Sequence, residues 1–343
     1  MEIGIYTFAD LGTHPISGEK ISPHQRMKNL IEEIKLADEV GLDVFAIGEH
    51  HRPDYAVSAP AVVLGAAAVV TKNIKLSSAV TVLSSDDPVR VFQQFATVDL
   101  LSGGRAEIMS GRGSFIESYP LFGYKLEDYD ELFSEKLEML LKLNENEHIT
   151  WKGKHTQTIN NKGVYPRPFQ NKLPVWVAVG GTPESVVRAA QFGLPLALAI
   201  IGGTPAAFAP LIQLYKDFYK KAGHDLNKMQ LSINSHTYVA DDSQQARDEF
   251  YPPYSDVMNR IGKERGWQPG TRQQFDASTS PNGALLVGSP QQVIDKILYE
   301  HELFGHTRFL AQMSIGAMPN DKVLHAIELL GTKVAPEIKK LIP

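Results

Sequence analysis

The sequence contains no cysteine among its 343 residues. Disulfide frameworks, thiolate metal sites and cysteine nucleophiles are therefore excluded as the basis of its fold or its chemistry. It has no unbroken apolar run approaching about 18 residues, so no transmembrane helix is expected. It also lacks a basic excess, because the net charge is −5 and the isoelectric point is about 6.1. This balance argues against an extended nucleic-acid footprint.

The amino-terminal stretch MEIGIYTFAD has the pattern of a strand and lacks the basic and apolar regions of a signal peptide. Hydrophobic residues make up 43% of the chain and charged residues 21%, which is ordinary globular composition. We therefore expect a soluble, cytoplasmic protein, long enough to bury a large core without covalent cross-links.

Short apolar runs alternate with stretches of helical period along the chain, and this order predicts a parallel sheet with helices outside it. The pattern predicts strands at 2–8, 43–48, 74–82, 105–111, 174–180, 194–200, 229–240 and 307–313, helices at 22–41, 59–70, 88–101, 129–143, 183–192, 205–222, 243–262 and 319–341, and a hairpin at 148–159. Eight strand–helix units favour an α/β TIM barrel over an open sheet.

The count reaches eight only if the polar, turn-rich segment 241–282 is an insertion after the seventh strand. Two interpretations of this segment stay open, a functional lid and a plain surface excursion. We expect one barrel domain over residues 1–343 that contains the insertion.

In a TIM barrel, the chemistry is carried at the carboxyl ends of the strands. The polar residues predicted at those ends include Asp10, Glu49-His50-His51, Arg112-Gly113-Ser114, Gly180-Gly181-Thr182 and Gln312.

Two of these stretches could bind an anion. In MSGRGSF, glycines flank Arg112, whose planar guanidinium suits a phosphate, and Gly113 permits close backbone approach. A tight turn with a solvent-exposed arginine is the equally good alternative. In VAVGGTPES, Gly180, Gly181 and Thr182 precede a helix whose free N–H groups attract anions, although an ordinary helix cap would have the same pattern.

The stretch GEHHRPD admits several interpretations. A metal site is disfavoured, because adjacent His50 and His51 point apart on extended backbone. A hydrolytic triad is not supported, because no G-x-S-x-G sequence occurs. A general base or hydrogen-bond donor at the barrel mouth, or a plain loop histidine, remain open.

Taken together, EHH at 49–51, the long block 79–123 and VAVGGTPESVVRAA at 177–190 resemble the bacterial luciferase-like flavin monooxygenase superfamily, in its single-chain alkanal-monooxygenase-like branch. The resemblance covers nearly the whole chain, and the block 79–123 is its most specific part. It implies a TIM barrel with an insertion after the seventh strand.

The resemblance implies reduced FMN as the cofactor, supplied by a separate reductase and used with O₂, or coenzyme F420 in a sister branch. Arg112 matches the phosphate-binding arginine of the family, and Gly180, Gly181 and Thr182 match its phosphate loop. Ala79 and Val80 match a non-prolyl cis peptide behind the flavin ring. Glu49 and His50 match its acidic residue and catalytic histidine.

Two positions depart from the luciferase pattern. A reactive cysteine of luciferases aligns near Gly111, and a glutamate of their phosphate loop aligns with Val179. Neither light emission nor an aldehyde substrate is therefore implied. The resemblance further implies an oligomer, expected as a homodimer through the helices at 59–70 and 88–101. Ordinary packing of these helices against the barrel is the alternative explanation of their apolar residues.

We therefore expect a flavin-dependent monooxygenase acting on a small organic substrate that the sequence does not name. His50 would be the general acid or base, and Glu49 would orient or hydrogen-bond the ring. The alternatives are an F420-dependent oxidoreductase and a non-catalytic flavin-binding protein.

Overall fold

The computed structural model describes residues 1–113 and 115–342. The strands, in chain order, are β1 (Glu2–Thr7), β2 (Val44–Ile47), β3 (Lys75–Ser78), β4 (Thr81–Val82), β5 (Ala106–Gly111), β6 (His148–Trp151), β7 (Ile159–Gly163), β8 (Val175–Val179), β9 (Leu196–Ile200), β10 (Leu231–Val239), β11 (Leu286–Gly288) and β12 (Arg308–Gln312).

The α-helices, in the same order, are α1 (Pro23–Glu39), α2 (Pro60–Ala68), α3 (Pro88–Ser102), α4 (Ser118–Leu121), α5 (Tyr129–Glu145), α6 (Pro183–Gln191), α7 (Ala209–Lys221), α8 (Ser243–Glu264), α9 (Arg272–Ser278), α10 (Pro290–Phe304), α11 (Asn320–Leu329) and α12 (Ala335–Leu341). A π-helical turn over Leu330–Val334 joins the last two. In the described part of the chain, no helix is long and apolar enough to cross a membrane.

Eight parallel strands close into the predicted TIM barrel. Around the barrel their order is β1, β2, β3, β5, β8, β9, β10 and β12, and β12 pairs with β1. The helices lie outside. A large apolar core fills the space between barrel and helices, and a smaller cluster that includes Tyr6, Met109, Trp176 and Leu310 fills the barrel interior.

The helix starts have the sequence features that predicted them. Proline is at the first position of α1 and α3, and the side chains of Ser22 and Asp87 accept hydrogen bonds from Gln25 N and Arg90 N. Such caps satisfy N–H groups that lack partners within the helix. The β-to-α junctions are thereby fixed locally, which places the strand ends at one face of the barrel.

Two segments differ from the sequence prediction. The strand expected at 74–82 is divided into β3 and β4, because the chain turns at Ala79–Val80. Within the segment 241–282, the helix predicted at 243–262 is present as α8, whereas the short helix α9 was not predicted. It is followed by β11 and α10, which were not predicted, before the eighth barrel strand begins. An excursion after the seventh strand is therefore present, as expected.

Candidate active site

A cavity of about 390 Å³ opens at the carboxyl ends of the barrel strands. Small side chains on two adjacent strands, Ala178, Ala197 and Ala199, leave this space open. The predicted site residues that line the cavity are Glu49, His50, Ala79, Val80, Arg112, Gly113, Gly180 and Thr182. Gly181 lies between two of them. The sequence-predicted residues are therefore brought together in one place.

His50 follows β2 and is buried in an aromatic box. Its ring centroid lies 4.7 Å from that of Phe8, 4.4 Å from that of Tyr55 and 4.8 Å from that of Phe115. Burial lowers the pKa of His50 to about 3, despite the nearby Asp54 carboxylate. The imidazole is therefore neutral at physiological pH, which makes it a proton acceptor or a hydrogen-bonding group rather than a resident acid.

Glu49 contacts the other histidine. Its Oε1 lies 3.4 Å from Nε2 of His51, and the His51 ring packs edge-on against Phe122 at 5.1 Å. Burial raises the pKa of Glu49, whereas the hydrogen bond to Glu49 raises the pKa of His51. The two adjacent histidines thus face different surroundings, as predicted, and the carboxylate orients His51 in this structure.

The Ala79–Val80 peptide bond is cis, as the resemblance implied. Both residues line the cavity between β3 and β4. The neighbouring strand approaches Val80 so closely that a Cβ at Gly111 would lie 2.8 Å from its Cγ2. A cysteine at position 111 would clash here, so glycine is required by the packing.

Arg112, which lines one end of the cavity, and Arg188, which does not line it, converge on Asp130. Arg112 Nη1 lies 2.5 Å from Oδ1 of Asp130, and Arg188 Nη2 lies 3.8 Å from the same oxygen. Burial, and then the positive charge of Arg112, lower the pKa of Arg188. Asp130 is 67% exposed, so this solvated carboxylate only partly offsets the two guanidiniums. The arrangement favours an anion at this point.

The start of α6 lies at the same end. Thr182 is its N-cap residue, but its side chain makes no capping hydrogen bond and lines the cavity instead. Gly181 has a φ of 124°, a conformation that side chains rarely tolerate, and a Cβ there would meet nothing within 4 Å. Ser185 Oγ and Arg188 Nη1 are buried without a hydrogen-bond partner in the described residues.

The segment 241–282 covers part of the opposite side of the cavity. Val257, Met258 and Ile261 of α8 line it. Ion pairs join this helix to the loop that follows β2: Arg52 Nη2 lies 2.5 Å from Glu264 Oε1, and Arg260 Nη2 lies 3.2 Å from Asp54 Oδ2. We call Val257–Glu264 the roof helix segment.

Sequence reasoning missed several residues of this site. Arg188 could have been found, because it lies on α6 less than two turns after Thr182 and the helix start points to an anion. Tyr6 and His236 also line the cavity, but they lie within buried strands where no turn or glycine marks them. The inward-facing members of such strands follow from the register alone.

A separate group, Asp128, Glu131 and His155, lies outside the cavity with ligand atoms within 4.8 Å of one another. Glu131 already pairs with Lys154 and with His155 Nε2, the latter at 3.0 Å. The lysine therefore offsets the charge that a cation would need, and we assign no metal to it.

Comparison with known proteins points to one family. The sequence profile of the family described as luciferase-like monooxygenase matches residues 1–307. The alkanal monooxygenase alpha chain of Aliivibrio fischeri is 23% identical over 326 residues, which cover 88% of this chain and 90% of that protein.

Solved structures agree in fold. The monooxygenase RslO1 from Streptomyces bottropensis superposes with a TM-score of 0.85 at 22% identity, covering 98% of this chain and 99% of that one. The oxygenating constituent of 3,6-diketocamphane monooxygenase from Pseudomonas putida, in complex with FMN, gives 0.78 at 21% identity, with 98% of each chain covered. An F420-dependent secondary alcohol dehydrogenase gives 0.75 at 19% identity, covering 98% of both chains. With a profile match that spans most of its length, the chain belongs to the luciferase-like monooxygenase family.

Proposed function

We propose that this protein is a flavin-dependent monooxygenase that uses reduced FMN and O₂ to oxidise a small, uncharacterised organic substrate. One observation carries the proposal: a single cavity joins Arg112, which shares the Asp130 carboxylate with Arg188, to an aromatic chamber that contains a neutral histidine. A phosphate-bearing cofactor and an apolar substrate could occupy its two ends together.

The anion end fits the phosphate of FMN. Arg112 and Arg188 would pair with it, and backbone N–H groups at Gly181 and Thr182 would add the positive end of the α6 dipole. The unpartnered, buried Ser185 Oγ and Arg188 Nη1 support this assignment, because both lack a hydrogen bond that an anion could supply.

The apolar wall beside the anion end fits the flavin ring. Ala79, Val80 and Ala178 line this part of the cavity and would lie against the ring. Bound reduced flavin would supply the electrons that activate O₂. The 3,6-diketocamphane monooxygenase, which has this fold and was solved with FMN, supports FMN as the flavin.

His50 would hold or accept a proton at its imidazole beside the reacting groups. Because its pKa is lowered to about 3, it would enter the reaction neutral and act first as a hydrogen-bonding group, since an imidazole with so low a pKa is a weak base. Phe8, Tyr55 and Phe115 exclude water around it, which protects reactive species from hydrolysis. Glu49 would contribute through His51.

Coenzyme F420 is the second candidate, because the F420-dependent secondary alcohol dehydrogenase has the same fold. The protein would then transfer hydride without O₂.

Anaerobic titration of the purified protein with reduced FMN and with reduced F420, each followed by mixing with O₂, distinguishes the two. We expect saturable binding of reduced FMN and O₂-dependent reoxidation altered by the protein. An Arg112→Ala variant should bind FMN at least tenfold more weakly, whereas the exposed Arg90→Ala variant serves as a matched control. Binding of F420 alone would establish the second candidate, and binding of neither would refute both.

We further propose a cytoplasmic homodimer served by a separate flavin reductase, since reduced flavin must be produced where it is used. Exposed apolar residues at the neighbouring helices α2 and α3 support the dimer: Val62 is 70% exposed, Val69, which directly follows α2, 67% and Leu101 52%. Sedimentation equilibrium should give twice the chain mass of 37.9 kDa, and a Val62→Asp/Leu101→Asp variant should sediment as a monomer. A monomeric native protein would refute this part.

A further inference from the structure

Three neutral polar side chains form a row across adjacent strands at the cavity wall. In the strand register, Gln312 of β12 pairs with Tyr6 of β1 on one side and with His236 of β10 on the other. All three line the cavity and are nearly buried, with exposures of 4% for Tyr6, 3% for Gln312 and 5% for His236. We call Tyr6, Gln312 and His236 the polar row.

The polar row has hydrogen-bonding capacity that the protein does not use. His236 Nδ1 is buried without a hydrogen-bond partner in the described residues, and Tyr6 and Gln312 line the same cavity. Buried polar groups left in this state cost about 1–3 kcal/mol each. Such groups on a cavity wall are explained if a ligand completes their hydrogen bonds.

The row carries no charge. Burial lowers the pKa of His236 to about 4, and burial and the charge of Asp10 raise the pKa of Tyr6. The amide of Gln312 does not titrate. At neutral pH the row therefore offers a phenol, an amide and an imidazole, which together donate and accept hydrogen bonds.

The surroundings of the polar row disfavour an anionic ligand. Asp10, buried beside Tyr6, has one carboxylate oxygen bonded to Gly316 N at 3.0 Å and the other without a partner, so an anion would be repelled. An anion entering this low-dielectric wall would lose hydration without gaining a counter-ion.

We propose that the polar row is the specificity wall for the substrate, and that the substrate carries an uncharged group with both an acceptor and an adjacent donor, as in an amide or a lactam, on an apolar body. The aromatic side chains Phe8 and Tyr55 and the roof residues Val257 and Ile261 would contact that body. The identification of this wall as the substrate side rests on the proposed function.

Three probes of the same ring size but different charge test this inference: benzamide, benzoate and benzylammonium. Titration calorimetry at pH 7.5 on the full chain, with and without FMN, should give an affinity for benzamide at least tenfold above that for either ion. Equal affinities, or tighter binding of either ion, would overturn the inference, as would no binding of benzamide.

Substitutions in the polar row test whether it causes the preference for benzamide. His236→Phe and Gln312→Leu should each weaken benzamide binding about tenfold, whereas His24→Phe, at an exposed position, should not. The nearly isosteric Gln312→Glu should reverse the preference toward benzylammonium. Melting temperature and far-ultraviolet circular dichroism confirm that each variant is folded.

Two outcomes separate this inference from the proposed function. If the protein bound benzamide selectively but bound neither FMN nor F420, the inference about the polar row would stand and the monooxygenase proposal would be refuted. Conversely, if the row variants weakened FMN at least tenfold and left benzamide unchanged, the row would belong to the cofactor and this inference would fall.

Discussion

Buried polar side chains are paired at one end of the barrel interior and lack partners at the other. At the amino-terminal end of the strands, Arg308 is fully buried and its guanidinium bonds to Glu107 at 2.8 and 3.1 Å and to Glu2 at 2.7 Å. It also lies over the Trp176 ring, 4.2 Å from the centroid. At the other end, the polar row and Asp10 keep hydrogen-bonding atoms without partners.

This difference separates folding from function within one set of strands. A buried charge that is fully paired closes the lower end and needs nothing from outside. Polar groups without partners at the upper end lower stability unless a ligand binds, and they are tolerated where they serve recognition. Changes at the lower end should therefore affect stability, and changes at the upper end should affect binding and rate.

The largest effect on stability is expected at the lower end. Glu107→Ala should reduce the free energy of unfolding by about 3–5 kcal/mol, because it leaves the buried Arg308 with Glu2 alone. Urea unfolding measures this loss. Glu2→Gln should cost less, since the Glu2 side chain is 29% exposed. Equal losses for both variants would contradict this ranking.

Removal of the histidine at the upper end should change rate rather than stability. His50→Ala should lower turnover at least 100-fold, about 2.7 kcal/mol, with the dissociation constant for FMN within threefold of the wild-type value. Product formation in the presence of an added flavin reductase measures the rate. Partial restoration by free imidazole would confirm proton transfer at this position, and full turnover by the variant would exclude His50 from the mechanism.

Loss of an arginine beside the anion end of the cavity should change the affinity for FMN alone. Arg188→Ala should raise the dissociation constant for FMN about tenfold, or about 1.4 kcal/mol, through loss of a charge-assisted contact. Fluorescence quenching of FMN measures it. Riboflavin, which has no phosphate, should bind the variant and the wild-type protein equally, and a tenfold loss for riboflavin as well would place Arg188 elsewhere.

The pH dependence of stability sharpens the comparison, because buried histidines lie at both ends. Burial lowers the pKa of His236 at the upper end to about 4 and that of His306, which precedes β12 at the lower end, to about 3. Each is neutral when folded but protonated in the unfolded chain below pH 6.5, so its stabilising contribution is present above that pH and is lost as the pH falls toward the folded value.

His306→Met should therefore reduce the slope of stability against pH by about 1.4 kcal/mol per unit between pH 4.5 and 6. Urea unfolding across this range gives the slope. At pH 7.5 the variant should be at least as stable as the wild-type protein, since both nitrogens of His306 are buried without partners in the described residues and burying such atoms costs free energy. An unchanged slope would contradict the assignment.

Much of the fold was predictable because local features determine it. The alternation of strand and helix, with proline at helix starts, predicted the barrel and placed Asp10, His50, Arg112 and Gln312 at one mouth. The helix α10 was missed, although Ser289 and Gln292 form a capping box at its start, because its apolar stripe follows directly on the turn-rich segment.

The site was predictable only where glycine, proline or a resemblance marked it. His50, Arg112 and the Gly180–Thr182 turn were found in this way. The polar row was not, because its members meet only through the strand register, and a slip of one residue would turn each side chain to the other face. The contact of Glu49 with His51 likewise depends on how the loop after β2 folds back.

The ion pairs between the roof helix segment and the β2 loop have a kinetic consequence. Glu264 is 45% exposed and Arg260 32%, so dissolved salt screens these pairs, with a Debye length of about 8 Å at physiological ionic strength. The Arg308–Glu107 pair is almost inaccessible to solvent ions. Ionic strength is therefore a selective control: added salt should loosen the cover over the chamber, accelerating exchange of its contents, while the base of the barrel stays closed.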